Sequence, residues 1–272
     1  MKKIGIKRGF IDTSRGQIHY AMAGNGKPVL LLHQTPRSWD EYRDVLPILG
    51  GKYWAIAMDT IGFGDSYKIG VKDSIEVYAQ GVINFLDAMK IESASMIGHH
   101  TGGVIAVEVA ASFPERVDKL VLSSTPYIDV AERERRKERS PIDAVQAKGD
   151  GSHLTELWQR RMGFYPKNRP DLLTRFVMDA LRVSERVEAG HRAVNRYKME
   201  RKVSLIKAPT LIIAGAEDPF SFPMMKVLSD HIRNSKTAII KGGMVPMPDQ
   251  MPEEFAKVVM NFLDKSQKGL TL

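Results

Sequence analysis

The stretch MIGHHTGGVIAVEVA, residues 96–110, decides how this chain reads. An apolar run reaches Gly98, passes through two histidines, and continues past Thr101, Gly102 and Gly103 as a second apolar run of helical character. Such a strand–turn–helix corner strains its apex residue, and only small neighbours let the strand fold back against the helix. His100 holds the apex. The helix opening at Thr101 aims its first amides at whatever sits there, and those N–H groups favour negative charge.

The pattern outward from this corner is strand–helix alternation. GFIDTSRG (9–16) and QIHYAMAG (17–24) read as a hairpin, and PVLLLH (28–33), YWAIAMD (53–59), SASMIGH (93–99) and DKLVLSS (118–124) as strands. Helical patterns occupy 38–50, 75–89 and 101–114. Alternation resumes with APTLIIAG (208–215), a helix near 223–233, KTAIIK (236–241) and a helix from Pro252 to Asp264. Repeated strand–helix units imply a mostly parallel sheet covered by helices on both faces. Residues 127–207 break the alternation with charged helical patterns. They read as an inserted helical lid, leaving 1–126 and 208–272 as the core.

At 272 residues the chain can bury a full core. It has no cysteine, which removes disulfides, thiolate catalysis and Cys-ligated metals. The N-terminus has no apolar run of secretory length, and no window reaches the roughly 18 apolar residues of a membrane helix. A soluble, unprocessed, cytoplasmic protein is therefore expected, with no membrane partner. Net charge is +8. Residues 127–207 hold 19 Lys/Arg against 12 Asp/Glu, so most of the excess lies in the insertion. The mixed signs of AERERRKERS (131–140) suit a solvated helix face. The alternative is attraction of an anionic small-molecule substrate. No nucleic-acid motif accompanies the charge.

Four segments in order resemble the α/β-hydrolase superfamily, over roughly residues 20–265. LLLHQTPRSW (30–39) is similar to its H-G-x-P loop, DTIGFGDS (59–66) to its D-x-x-G-x-G-x-S turn, and GHHTGG (98–103) stands at its nucleophile elbow. GAED (215–218) resembles the loop bearing the catalytic acid, and GGMVPMPDQMPEEF (242–255) the loop bearing the catalytic histidine. Lidded esterases, lactonases and dehalogenases are the members it looks like. The resemblance implies an oxyanion hole from the amides of Thr101 and of Thr35 or Gln34, and an acid at Asp218. One such donor is worth about 3–4 kcal/mol in other enzymes. It also implies a small-molecule pocket; His33, Trp39, Phe220, Met244 and Val245 are its expected liners, with Trp158, Phe164 and Tyr165 from the lid. No metal or other cofactor is implied.

The departures matter more. The apex is His100 instead of a serine, Gln34 replaces the glycine after His33, and the late loop has no histidine: the expected position falls on Met244 or Val245. Ordinary Ser–His–Asp acyl transfer cannot be carried over. Thr101 is a poor substitute nucleophile, because its side chain enters the helix without an evident base. Three readings remain for His100. It is a base or nucleophile steered by Asp218, acting on a small ester or lactone or on a proton next to a carbonyl; or the protein binds ligands without turnover; or the apex is substituted or supports unfamiliar chemistry. Asp218 has a second reading as a helix cap. His33 and His99 read as buried supports, His19, His153, His191 and His231 as surface or core, and Glu217 as surface.

Overall fold

The computed structural model describes residues 4–68, 70 and 72–265. Eight strands form one sheet: β1 (Lys7–Thr13), β2 (Gly16–Ala23), β3 (Pro28–Leu32), β4 (Trp54–Met58), β5 (Ala94–His99), β6 (Val117–Ser123), β7 (Thr210–Gly215) and β8 (Ser235–Ile240). Their spatial order is β1-β2-β4-β3-β5-β6-β7-β8. The hairpin β1–β2 and its junction with β4 are antiparallel, and every later pairing is parallel.

The helices are α1 (Leu46–Leu49), α2 (Ile75–Ala88), α3 (Thr101–Ser112), α4 (Val130–Lys137), α5 (Ser152–Met162), α6 (Pro170–Val183), α7 (Ala189–Arg196), α8 (Met225–His231), α9 (Met247–Gln250) and α10 (Pro252–Leu263). The single helix expected over 38–50 is instead a 3-10 turn, Trp39–Tyr42, followed by α1. Pro47 explains the break: it has no N–H to donate to residue 43, and its ring would clash with that carbonyl.

Strand β3 explains the layering. Leu30 and Leu32 enter one core with the α2 and α3 side chains Phe85, Leu86, Val104 and Ile105. Val29 and Leu31 enter the other with Leu46, Phe255 and Val259. Alternate residues point to opposite faces, so a strand covered on both must be apolar throughout. Helix α3 is apolar on nearly every side, as a helix buried all round must be. Its one carboxylate, Glu108, is buried but accepts hydrogen bonds from Tyr197 Oη (2.7 Å) and Lys202 Nζ (2.9 Å). That ties α3 to the end of the helical segment between β6 and β7.

This segment carries α4 to α7. GDGS (149–152) and YPKNRP (165–170) fall at breaks between its helices, where their turn residues belong.

Candidate active site

The corner after β5 is as tight as its sequence requires. His100 has φ 46° and ψ −113°. A Cβ on Gly98 would sit 2.3 Å from the Gly102 carbonyl oxygen, and one on Gly102 would sit 2.0 Å from that of Leu32. Neither position admits a side chain. The His100 amide donates to Ser123 O (3.0 Å), and its carbonyl accepts from Val104 N (3.1 Å). Both ends of the strained residue are thus pinned.

Asp218 follows β7 in a turn that fixes its carboxylate. Oδ1 accepts from the amides of Phe220 (2.9 Å) and Ser221 (3.3 Å), and Oδ2 from Ser221 Oγ (2.6 Å). The expected helix cap does not form: the 3-10 turn Phe222–Met224 has Ser221 at its N-cap and no side-chain cap bond, and Asp218 instead closes its own turn. His100 Nε2 lies 2.9 Å from Asp218 Oδ2. The contact is close but not linear, leaving Nε2 buried without a well-aligned acceptor. Burial alone would raise the Asp218 pKa, but the His100 imidazole and the Ser221 and Phe220 donors outweigh it, holding the group well below the usual carboxylate range. The carboxylate is charged across the physiological range.

His99 points elsewhere. Its Nδ1 meets Ser123 Oγ and its Nε2 the Val245 carbonyl, each at 2.9 Å, and its ring stands edge-on to His100 with centroids 4.7 Å apart. Burial and then the neighbouring His100 push its pKa well down, so it is neutral. Because the Val245 carbonyl can only accept, the proton sits on Nε2.

Thr35 and Thr101 meet where β3 and α3 converge, Oγ1 to Oγ1 at 3.0 Å. Gln34 corrects the expectation that its amide faces a substrate: that N–H donates to Glu41 Oε2 (2.8 Å), and its side-chain Nε2 to Glu41 Oε1 (2.6 Å). Glu41 is fully buried, and burial raises its pKa despite these bonds. Beneath it, fully buried Arg37 bridges Asp179 (2.9 Å) and Asp249 (2.5 Å). Burial pushes Asp249 up to about 7, against the pull of Arg37 and Arg175.

A cavity of about 730 Å³ opens over the corner. Its floor includes Gln34, Thr35, His100, Thr101, Phe220 and Val245. Phe164 reaches it from the helical segment, packed on Phe220 at 4.8 Å between ring centroids. Five expected liners lie off the cavity. His33 is wholly buried, donating from Nδ1 to Gln34 O (2.7 Å) and accepting from Thr60 N at Nε2 (2.9 Å). Trp39 lies beneath the Arg8 and Arg43 guanidiniums, near His19. Met244 is off the wall, its amide donating to Gln250 Oε1 (2.8 Å), whereas Val245 lines the cavity. Trp158 and Tyr165 pack into the core instead.

The roof comes from the helical segment and is rich in arginine. Glu188 and His191, on the same wall, were not legible in advance. Glu188 accepts from the amides of Asp143 and Ala144 and meets His191 Nδ1 at 3.1 Å. Burial opposes its charge, but His191 and those amides prevail and bring its pKa down to about 2. Asp143, Glu188 and His191 lie close enough together to share a cation. Asp143, however, is already paired with the Arg161 guanidinium on two edges, and Glu188 with two amides, so the donor set is spent.

Comparison with known proteins bears on the fold. A family model described as alpha/beta hydrolase fold matches residues 27–243. Haloalkane dehalogenase 2 of Mycobacterium tuberculosis (strain ATCC 25618 / H37Rv) is 34% identical over 117 residues, covering 43% of this chain and 41% of the relative. The soluble epoxide hydrolase of Corynebacterium sp. (strain C12) is 34% identical over 106 residues, covering 39% and 37%. The matches thus span well under half the length of these relatives. Among solved structures, the enol-lactonase from Burkholderia xenovorans LB400 superposes with a TM-score of 0.79 at 17% identity, over 94% of this chain and all of that one. No helix among the described residues is long and apolar enough to cross a membrane.

Proposed function

This chain belongs to the alpha/beta hydrolase fold family, and from that membership we propose that it hydrolyses a small ester or lactone with His100 as general base. The observation that carries the proposal is the His100–Asp218 contact at the elbow, 2.9 Å between Nε2 and Oδ2. The imidazole at the elbow meets the acid directly, whereas a complete triad sets a separate histidine between its serine and its acid.

With its proton on Nε2, the nitrogen 2.9 Å from the Asp218 carboxylate, neutral His100 offers its Nδ1 lone pair. A water in the cavity gives one proton to Nδ1 while its oxygen attacks the substrate carbonyl. The carbonyl electrons move to an oxyanion, which the Thr35 and Thr101 amides stabilise at the start of α3. The tetrahedral intermediate then collapses and expels the alkoxide, which takes the proton back from Nδ1. No covalent enzyme intermediate forms. Asp218 keeps the imidazole in the required tautomer and offsets its transient positive charge. Residues 127–207 serve as the lid that excludes bulk water.

The test is hydrolysis of short-chain aryl esters and a lactone panel by the parent and His100→Ala. A loss of at least about 100-fold in kcat/KM is expected, within the range for removing a positioned base. Equal rates would overturn the assignment. A second reading, ligand binding without turnover, draws on the non-linear Nε2 contact and on Val245 at the expected histidine position. Saturable binding with no hydrolysis of any panel member would favour it.

A further inference from the structure

We infer that the cavity selects substrates bearing an anionic group, a carboxylate or phosphate, and seats that group against Arg136, Arg139 and Arg192 on its roof. The inference rests on the hydrolytic reading for the fate of the substrate, but not for its binding.

The evidence is an imbalance of charge. Arg136 and Arg139 line the cavity, and both lean on one carboxylate, Glu132 (2.6 and 3.3 Å). A third guanidinium, Arg135, shares it at 2.7 Å. One buried carboxylate therefore faces three cations, so two positive charges are left uncompensated. Asn195, a further contact of Arg136, is neutral. Arg192 lines the same wall one helix away, exposed and with no side-chain hydrogen bond or ion pair among the described residues. The other arginines of the roof are engaged: Arg161 by Asp143, and Arg160 by Glu156 (2.6 Å) and the Ala144 carbonyl (2.9 Å).

The acid on this wall, Glu188, faces His191 and two amides. It adds no anion to the α4 arginines, whose ion pairs among the described residues run to Glu132 alone for Arg136 and Arg139. Guanidiniums in a confined cavity pair with carboxylates and phosphates through parallel N–H donors. The reacting end lies on the floor and the excess charge on the roof. A molecule with a scissile carbonyl at one end and an anion at the other matches both.

The experiment uses three aryl esters: 4-nitrophenyl butyrate, mono-4-nitrophenyl succinate and 4-nitrophenyl phosphonoacetate. It also measures calorimetric binding of glutarate and of phosphonoacetate, which needs no turnover. The parent should prefer at least one charged ester, and the arm with the larger preference identifies the anion. In R139Q/R192Q the charged-to-neutral ratio of kcat/KM should fall about tenfold, and binding of the matching anion should weaken alike, as expected for loss of partly screened charges. Thermal melts check that the variant is folded. Equal use of all three esters with no anion binding would overturn the inference while leaving the hydrolytic reading intact. Anion binding lost in the variant, with no ester hydrolysed, would uphold the inference and remove the hydrolytic reading.

Discussion

His100 and Asp218 meet across the gap between the ends of β5 and β7, with Nε2 and Oδ2 2.9 Å apart and the carboxylate fixed by Ser221 and Phe220. The acid is held by its own turn and does not depend on the imidazole for its position. Removing its charge should therefore disturb chemistry more than fold. In Asp218→Asn, kcat/KM for an aryl ester should drop about 100-fold or more, because the amide no longer dictates the imidazole tautomer. Thermal melting checks that the variant is folded. A drop of less than threefold would remove Asp218 from the mechanism.

Rebuilding a triad gives a complementary test. Val245 lies on the cavity wall beside the elbow, and no serine occupies the apex. The parent should resist covalent labelling by a fluorophosphonate. The double variant H100S/V245H should be labelled, and labelling should disappear when V245H is omitted, because the serine then lacks its base. Mass spectrometry of the intact protein reads the outcome.

Gly102→Ala should destabilise the protein by about 3 kcal/mol or more, the upper end of ordinary overpacking, because the added methyl meets a backbone oxygen. Urea unfolding measures this. A change below about 1 kcal/mol would mean that β3 and α3 yield more easily than their pairing suggests.

Arg37→Met should cost about 3–5 kcal/mol, since it leaves Asp179 and Asp249 buried without their shared cation. The readout is the urea midpoint at constant slope. A neutral or stabilising result would show that the cluster adjusts by taking up protons.

The same cluster makes stability depend on pH. The folded-state pKa of Asp249 is raised to about 7 by burial, above its ordinary value of 3.8. Between those values the folded chain binds more protons than the unfolded one, so this group's contribution falls as pH rises from about 4 to about 7. Asp249→Asn should flatten that part of the stability–pH curve, measured by urea unfolding between pH 5 and 8. An unchanged slope would show that Asp249 is ionised throughout.

The elbow was legible because its constraints are local: Gly98 and Gly102 are needed by contacts among neighbouring segments, and their spacing records it. The late loop left two candidates for the cavity wall, and of these Val245 lines it. Anchoring the late loop from either end gave Met244 or Val245, and the choice depends on Gln250 capturing the Met244 amide. Glu41 was not legible, because a buried carboxylate on a short turn looks like a solvated one until Gln34 is found on it. Arg37 and Asp249 are 212 positions apart and meet only through the fold. Trp39 and His33 were placed on the wall by proximity to the loop, yet side-chain direction turns both inward. His191 and Glu188 join the cavity only once α7 packs against α2, α3 and α4, which no periodicity in the sequence encodes.

Glu108 fastens the segment after β6 to the core. By joining α3 to Tyr197 and Lys202, it moors the trailing corner of the roof to the same rod that begins next to His100. Arg133 of α4 reaches the same corner through the Tyr197 carbonyl and Glu200, so α3 and α4 share one anchor beside the cavity.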